Sequence, residues 1–335
     1  MKKLQCTFYN IPKENQPYMR KKLRGFSVQM KDTPLCNDTI EPKTNILGIF
    51  VDSPVTHTVI KKLPALKLIV TMSTGYDHIA VTTAKRKNIP VCNVPNYGGH
   101  TVAEHTLALM LALSRKLFPS IKRVKEGVYD YHGLRGYDIQ GKTIGIIGTG
   151  RIGMQLVRML QGFDATVIAY DPCPDTPAQT LYNFQYATFE RLIRTADILS
   201  LHVPLLPETT HLINKTVLKK MKHGAYIINT ARGGLIDAEA LVKALDDGTI
   251  AGAGLDVLED EGLVEHHEEL FGTQHEPRRM RLNLMNNILI DHPHTIITPH
   301  NAFNSTEAIT RIMDTTIENI TSYVHGNIQN DVTNI

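Results

Sequence analysis

The stretch TIGIIGTGRIG, from Thr143 to Gly153, decides the fold of this chain. An apolar run leads directly into the pattern G-x-G-x-x-G, and apolar residues at helical spacing follow as far as Leu160. In such a strand–turn–helix, Gly148 permits the sharp turn, Gly150 lets the backbone approach a pyrophosphate, and Gly153 lets the helix pack close to the strand. The free N–H groups at the helix start favour phosphate. The pattern predicts a dinucleotide site.

A second apolar run, residues 165–170, ends on Asp171. An acidic residue about 20 residues beyond the glycines accepts hydrogen bonds from the adenosine ribose in this kind of site. The Asp171 carboxylate would repel a 2′-phosphate, and residues 172–174 (PCP) supply no arginine to bind one. We therefore expect NAD as the cofactor. A glycine turn without a ligand is the alternative interpretation.

Composition limits the classes of protein to consider. The chain has 335 residues, 42% hydrophobic and 21% charged, with a net charge of +3, which is typical of a globular protein of two domains. Its basic clusters are short and without interleaved aromatic residues, so we expect no nucleic-acid partner. No segment resembles a signal peptide or a membrane span. Four cysteines far apart in sequence indicate a reduced, cytoplasmic compartment.

Short apolar runs alternate with helical patterns on both sides of the glycine motif, which predicts parallel α/β units. Asp237 and Ser305 stand where helix N-caps are expected. The segment 262–282 is the least regular and is predicted to be a loop with short helical pieces. The predicted strands are 4–9, 46–51, 66–72, 91–94, 196–201, 225–229, 250–255 and 295–298, and the predicted helices include 79–88, 101–116, 238–246 and 305–325.

The glycine motif normally belongs to the first strand of its domain, yet here it begins near residue 143. We therefore expect a separate α/β domain before it, with the helix 101–116 as the crossover and the last helix returning to the first domain. The predicted domains are 1–98 with 302–335, and 99–301. Two crossovers predict a hinged cleft between them.

Three residues at predicted strand ends carry groups suited to hydride-transfer chemistry, which requires an anion-binding arginine, a proton-donating histidine and an orienting carboxylate. Arg232 lies in a glycine-rich turn, and His300 follows the strand 295–298. Position alone does not choose among Glu259, Asp260 and Glu261 as the carboxylate. A surface arginine, an acidic surface loop and a structural histidine are the alternatives. No H-E-x-x-H or similar pattern indicates a metal, so we expect none.

The order of these motifs resembles the D-isomer-specific 2-hydroxyacid dehydrogenases, and most closely their D-lactate dehydrogenase branch. The resemblance rests on GTGRIG at 148–153, HVPL at 202–205, NTARGGLID at 229–237, GLDV at 254–257 and TPH at 298–300. It implies that Arg232 binds the substrate carboxylate and carbonyl, that His300 is the acid/base, and that Glu261, five residues after Asp256, is its partner. Such a carboxylate would raise the pKa of His300 above its reference of about 6.5.

The same resemblance implies the remaining site residues and the architecture. It implies an α/β chain of two Rossmann-like parallel-sheet domains, a flavodoxin-like substrate domain and an NAD-binding domain, around a cleft. It also implies a homodimer through the cofactor domains, with the helix 101–116 as a contributor. The implied cofactor-binding residues are Gly148, Gly150, Arg151, Ile152, Gly153, Asp171, Val203, Pro204, Thr230 and Asp256, and the implied substrate-binding residues are Thr74, Gly75, Tyr97 and Phe303.

The acid itself stays open on sequence alone. The resemblance implies that Tyr97 and Phe303 make a small apolar pocket suited to pyruvate or a modestly larger 2-oxoacid. One methylene changes discrimination by only about 1–3 kcal/mol, so branched 2-oxoacids stay alternatives, as do glyoxylate and hydroxypyruvate. A corepressor-like protein that binds NAD(H) without turnover is the alternative from a different class. The segment 262–294, rich in His, Glu and Arg, leaves part of the pocket wall undefined.

Overall fold

The computed structural model describes residues 3–261 and 277–333. The chain divides into two compact units, which we call the first unit (Met1–Tyr97 with Ser305–Ile335) and the second unit (Gly98–Asn304). The strands of the described residues are β1 Gln5–Phe8, β2 Ser27–Met30, β3 Ile46–Ile49, β4 Leu68–Thr71, β5 Val91–Cys92, β6 Thr143–Ile147, β7 Thr166–Tyr170, β8 Gln185–Tyr186, β9 Ile198–Leu201, β10 Ala225–Asn229, β11 Ile250–Leu255 and β12 Thr295–Ile297. Their helices are α1 Gln16–Lys22, α2 His57–Lys62, α3 Val81–Arg86, α4 Gly99–Ser114, α5 Leu117–Lys125, α6 Arg151–Leu160, α7 Thr176–Leu181, α8 Phe189–Thr195, α9 Lys215–Leu218, α10 Ala238–Asp246, α11 Pro277–Asp291 and α12 Thr306–Val324.

The first unit is built on a parallel sheet with the strand order β2-β1-β3-β4-β5. This is the flavodoxin-like order of a doubly wound sheet. Strands β3 and β4 are buried along their whole length, which is typical of parallel strands covered on both faces. The last helix, α12, belongs to this unit and contacts β4.

The second unit is built on a parallel sheet with the order β12-β11-β10-β9-β6-β7-β8. The order reverses between β6 and β9, and the carboxyl ends of strands at such a switch point form the usual ligand site of these folds. Successive residues of each strand enter opposite faces. Ile146 packs in a core with α4 and α6, whereas Ile147 packs in a core with α8 and α10.

The predicted fold class, two parallel-sheet α/β domains, is confirmed. The predicted caps are also present: Asp237 accepts a hydrogen bond from Ala240 N–H at 3.1 Å, and Ser305 accepts one from Ala308 N–H at 3.2 Å. Most predicted elements are shorter in the structure by one to three residues at an end. Among the helices that the structure describes, none has both the length and the apolar character needed to span a membrane.

The predicted loop with short helical pieces over 262–282 differs from the structure at residues 277–282, which begin a helix of 15 residues, α11. The helix forms because Leu282, Met285, Ile288 and Leu289 lie along one side of it and pack into the core shared with α10. Residues 262–276 lie outside the described part of the chain. Strand β2 was not predicted, because its residues, SVQM, are only partly buried and carry no apolar run.

Candidate active site

The glycine turn between β6 and α6 has the geometry that its sequence predicts. Gly148 has a φ of +94°, a conformation that glycine adopts at little cost. A Cβ at Gly153 would lie 2.0 Å from the carbonyl oxygen of Gly148, so no larger residue fits there. At Gly150 an added Cβ would meet no described atom within 4 Å, so packing does not explain this glycine. The open backbone at the start of α6 suits a pyrophosphate group.

The Asp171 carboxylate is held in place at the end of β7. One oxygen accepts hydrogen bonds from the Thr149 N–H at 2.7 Å and hydroxyl at 3.1 Å, and the other accepts from the Cys173 N–H at 2.9 Å. The Tyr186 hydroxyl lies 2.8 Å from the Thr149 hydroxyl and accepts from the Asp175 N–H at 3.0 Å. Tyr186 therefore donates to Thr149, which donates to Asp171. These contacts fix the Asp171 carboxylate at the carboxyl end of β7, beside the glycine turn.

Arg232 lies in a turn that its neighbours lock. The Asn229 side chain accepts from the Ala231 N–H at 3.0 Å and donates to the Arg232 carbonyl at 2.8 Å. Gly233 follows, and a Cβ there would lie 1.9 Å from the carbonyl carbon of Leu258, so this turn packs directly on the segment that leads to Glu261. The backbone therefore holds Arg232 at the carboxyl end of β10.

Glu261 and His300 form a hydrogen-bonded pair. Oε2 of Glu261 lies 2.8 Å from Nδ1 of His300, and Oε1 accepts from the Leu258 N–H at 3.2 Å. Burial by itself would lower the pKa of His300, but the hydrogen bond to Glu261 and its negative charge raise that pKa above its ordinary value, against the opposing charge of Arg232. The charges of Glu261 and Arg232 therefore both act on His300, in opposite directions.

The backbone at His300 is unusual, because this non-glycine residue has a φ of +48°. Asp256 holds the turn in that conformation. Its carbonyl accepts from the His300 N–H at 2.8 Å, and its carboxylate accepts from the N–H groups of Asn301 at 2.8 Å and Ala302 at 2.9 Å. The structure therefore explains Asp256 first as the residue that shapes the loop bearing His300.

The Asp256 side chain is 1% exposed. Burial by itself would raise the pKa of this carboxyl, but hydrogen bonds from His105 and Thr298 and from the two backbone N–H groups hold it below its ordinary value. Nε2 of His105 lies 3.0 Å from the Thr298 hydroxyl and 3.4 Å from Asp256 Oδ1. An ionised carboxylate with four donors around it is a stable, fixed charge.

The predicted substrate residues divide between the two units. Phe303 belongs to the second unit, and its ring meets that of His300 edge to face, with 6.4 Å between centroids. Thr74, Gly75 and Tyr97 belong to the first unit. Thr74 follows β4 and donates its hydroxyl proton to the Val94 carbonyl at 2.9 Å, and the Tyr97 carbonyl accepts from Arg311 at 2.9 Å.

The other predicted cofactor residues surround the carboxyl ends of β6, β9 and β10. Val203 packs against the glycine turn, since a Cβ at Gly148 would lie 2.9 Å from its side chain. Pro204 is exposed, as is Arg151 at the start of α6, and Ile152 is partly buried. Thr230 is 7% exposed, and its hydroxyl lies 2.8 Å from that of Thr106 on α4.

The sequence assigned no role to His105, Thr298 or Tyr186, and Thr298 entered only as the first residue of the motif TPH. The available signal for His105 was the polar triplet Glu104-His105-Thr106 directly before the apolar run 107–113. Within residues 3–261 and 277–333, no three His, Cys, Asp or Glu side chains are grouped so that they could hold a metal ion.

Comparison with known proteins agrees with this geometry. Residues 107–302 match the family model described as D-isomer specific 2-hydroxyacid dehydrogenase, NAD binding domain. The chain belongs to this family. Its cofactor is therefore NAD, as Asp171 and the glycine turn predict.

Individual relatives of this dehydrogenase carry several names. A 2-hydroxyacid dehydrogenase homolog of Zymomonas mobilis is 34% identical over 95% of this chain and 94% of its own length. A glycerate dehydrogenase of Methylorubrum extorquens is 37% identical over 83% and 82%. The crystal structure of a D-lactate dehydrogenase from Aquifex aeolicus, complexed with NAD and lactic acid, is 32% identical, covers 96% of both chains and has a TM-score of 0.86. The predicted resemblance to the D-lactate dehydrogenase branch is confirmed.

Proposed function

We propose that this dehydrogenase interconverts a small 2-oxoacid and its D-2-hydroxyacid, with pyruvate and D-lactate as the first pair, and that His300 is the acid and base. The observation that carries this proposal is the contact of 2.8 Å between Glu261 and Nδ1 of His300, beside the charge of Arg232. A fixed cation, a protonated imidazole and a carboxylate that holds it are the groups that 2-oxoacid reduction requires of a protein.

Arg232 is the residue that we assign to the substrate anion and carbonyl. A guanidinium keeps its charge at any relevant pH and can donate two parallel hydrogen bonds to a carboxylate. The backbone N–H groups around Thr74 and Gly75 are proposed as further donors to the same carboxylate. Tyr97 and Phe303 are proposed to bound the pocket for the substrate side chain, which their rings would keep small and apolar.

His300 is the residue that we assign to proton transfer. Since Nδ1 faces Glu261, Nε2 is the nitrogen that would face the substrate. In reduction the imidazolium gives its Nε2 proton to the carbonyl oxygen, while Nδ1–H stays hydrogen-bonded to Glu261. In oxidation the neutral ring takes the hydroxyl proton back. Bound NADH supplies the hydride, and one 2-oxoacid, one NADH and one proton yield one hydroxyacid and one NAD⁺.

The cofactor assignments follow the same reasoning. Asp171 is proposed to accept from the ribose hydroxyls, and the turn of Gly148, Gly150 and Gly153 with Arg151 and Ile152 to hold the pyrophosphate. Val203 and Pro204 are proposed as the wall for the nicotinamide. Thr230 and Asp256 have their side chains engaged within the second unit. An oxygen atom can accept more than one hydrogen bond. We propose that the side-chain oxygens of Thr230 and Asp256 also accept hydrogen bonds from the nicotinamide end of the cofactor.

A substrate panel tests the proposal. The purified chain is given NADH with pyruvate, 2-oxobutyrate, 2-oxoisocaproate, phenylpyruvate, glyoxylate or hydroxypyruvate, and the product is resolved by chiral chromatography. We expect the highest kcat/KM with pyruvate or 2-oxobutyrate and a D-configured product. A preference for glyoxylate or hydroxypyruvate would replace the pyruvate assignment. No turnover with any member would indicate a protein that only binds NAD(H).

We also propose a homodimer, on the basis of the apolar side chains of α5. None of its residues is buried, and Leu117, Phe118, Ile121 and Val124 lie along one side of it. Tyr129 and Tyr131, just beyond the helix, are 95% and 79% exposed. Exposed apolar side chains grouped on one side of a helix suit a subunit contact. By contrast, the interior side of α4 is used within the unit, where Leu109 and Met110 are buried.

Four free cysteines support the proposed cytoplasmic location.

A further inference from the structure

Short hydroxyl side chains at the start of the loop after β4 hold part of its backbone. The buried Ser73 hydroxyl donates to the Gly75 carbonyl at 2.7 Å and lies 2.6 Å from the Thr71 hydroxyl. These contacts shape the turn, but they do not fix the peptide group that joins Thr74 to Gly75. That peptide group is held from outside the loop.

A relay of three asparagine side chains reaches this peptide from the C-terminal part of the first unit. Nδ2 of Asn93 donates to the Thr74 carbonyl at 2.8 Å, and Nδ2 of Asn319 donates to the Asn93 carbonyl at 2.9 Å. Nδ2 of Asn330 donates to Oδ1 of Asn319 at 2.8 Å, and the Asn93 N–H donates to the Asn330 carbonyl at 3.1 Å. The relay connects α12 and the segment after it to the loop.

Two of the three asparagines of the relay are buried, and burial of a polar side chain destabilises the fold unless it is hydrogen-bonded. Asn319 is 0% exposed and Asn93 is 7% exposed. A buried amide destabilises a fold unless its donors and acceptors are paired, and an apolar side chain of similar size would avoid that cost. These amides are therefore better explained by the atoms that they hold than by packing.

The atom that Asn93 holds determines the direction of a neighbouring donor. In a trans peptide the C=O of one residue and the N–H of the next point in opposite directions, and the described chain contains no cis peptide. Since Asn93 draws the Thr74 carbonyl inward, the Gly75 N–H points away from the interior. Thr74 itself is exposed, so that side of the loop is accessible within the first unit.

We propose that Asn93 and Asn319 are positioning residues that aim the Gly75 N–H at the substrate carboxylate. This inference rests on the proposed function, in which the loop binds the 2-oxoacid. It adds that the C-terminal segment around Asn330, which pairs with β5 through the bridge between Cys92 and Asp331, contributes to substrate affinity without touching substrate.

The test compares Asn93→Leu and Asn319→Leu with the unaltered chain. Both changes keep the number and branching of the side-chain heavy atoms and remove the hydrogen bonds. We expect the KM for the preferred 2-oxoacid to rise about tenfold, the effect of losing one well-aligned hydrogen bond. The Kd for NADH, measured by its fluorescence, should not change, because the cofactor assignments lie in the second unit.

Two further variants separate positioning from stability. Asn330→Gly removes the outermost amide at a φ of +53°, which glycine adopts freely, and leaves no hole in the core. It should raise the KM in the same direction even if the leucine variants fold poorly. Thr7→Val breaks another buried contact of the same unit, the pair of hydroxyls of Thr7 and Thr44 at 2.8 Å. It should lower the Tm and leave the KM unchanged.

The outcomes distinguish this inference from the function on which it rests. Turnover by the unaltered chain with an unchanged KM in folded Asn93→Leu and Asn330→Gly would overturn the positioning role alone. The same rise in KM for Thr7→Val would overturn it too, because any destabilisation would then have that effect. An unaltered chain without turnover of any 2-oxoacid would overturn the proposed function and this inference together.

Discussion

Glu261 holds His300 by one carboxylate oxygen and the backbone of its own loop by the other. Oε2 lies 2.8 Å from Nδ1 of His300, and Oε1 accepts from the Leu258 N–H. The Leu258 N–H therefore orients the carboxylate independently of its contact with the imidazole. This relationship raises the pKa of His300, which favours the protonated ring, and it determines the nitrogen that the ring presents.

Replacing Glu261 should shift the pH dependence of the reaction. The pKa of His300 is raised by the hydrogen bond and charge of Glu261, so Glu261→Gln should lower it. Reduction uses the protonated ring, so the pH above which kcat/KM for reduction falls should move to lower pH. Oxidation uses the neutral ring, so its activity should extend to lower pH. Steady-state pH profiles of kcat/KM for reduction and for oxidation measure the pH at which each activity declines.

Glu259→Gln is the matched control for this change. Glu259 is two residues away and carries the same charge, but it pairs with His211 at 2.9 Å. Its replacement should leave both pH profiles of kcat/KM unchanged. Equal shifts in the two variants would indicate a general effect of charge and not a contact with His300.

Replacing Asp256 should weaken both the fold and the loop that bears His300. Asp256→Asn replaces one carboxylate oxygen with an NH₂ group, and each oxygen accepts from a backbone N–H, Oδ1 from Asn301 and Oδ2 from Ala302. Either orientation of the amide therefore turns a donor toward one of these two N–H groups. We expect the free energy of unfolding to fall by about 1–3 kcal/mol, measured by urea denaturation, together with a loss of turnover. Asp237→Asn is the control, because asparagine caps a helix as well as aspartate. A fully stable Asp256→Asn would contradict the structural role of this carboxylate.

Replacing Asp171 should relax the choice of cofactor. Asp171→Asn keeps the shape of the side chain and removes the charge that opposes a 2′-phosphate. We expect the affinity for NADH to fall about tenfold and that for NADPH to rise, measured by fluorescence titration. Tyr186→Phe should change NADH affinity in the same direction but less, since Tyr186 acts through Thr149. Asp175→Asn, at the exposed cap of α7, should change neither affinity.

Charging the apolar surface of α5 should dissociate the proposed dimer. Phe118 and Ile121 are 57% and 52% exposed, and Ile121→Glu would place a charge in the middle of that surface. Light scattering after gel filtration should change from the dimer mass to the monomer mass. Leu181→Glu, at another exposed leucine, is the control and should leave the dimer intact. A monomeric unaltered chain would exclude the dimer.

Much of the fold follows from the sequence because its signals are local. The run before Gly148, the caps Asp237 and Ser305, and the buried strands each depend on residues close together in the chain. The boundaries of strands such as β5 were less predictable, since hydrogen bonds to neighbouring strands determine where pairing ends.

The features that the sequence did not predict depend on contacts between residues far apart in the chain. His105 and Thr298 are separated by 193 positions, and no local pattern connects them. The positive φ of His300 arises from Asp256 and is not visible in the sequence TPHN. Helix α11 begins among arginines and asparagines, and packing against α10 stabilises it where residue propensity gives little signal.

The most direct test of the proposed chemistry is the replacement of His300 by asparagine. Asparagine tolerates a positive φ better than alanine does, so the loop should keep its shape while the proton donor is lost. We expect kcat for pyruvate reduction to fall about 10²- to 10⁴-fold and the Kd for NADH, measured by fluorescence, to stay the same. Retained turnover, or equal losses of turnover and NADH affinity, would contradict the assignment of His300 as the acid and base.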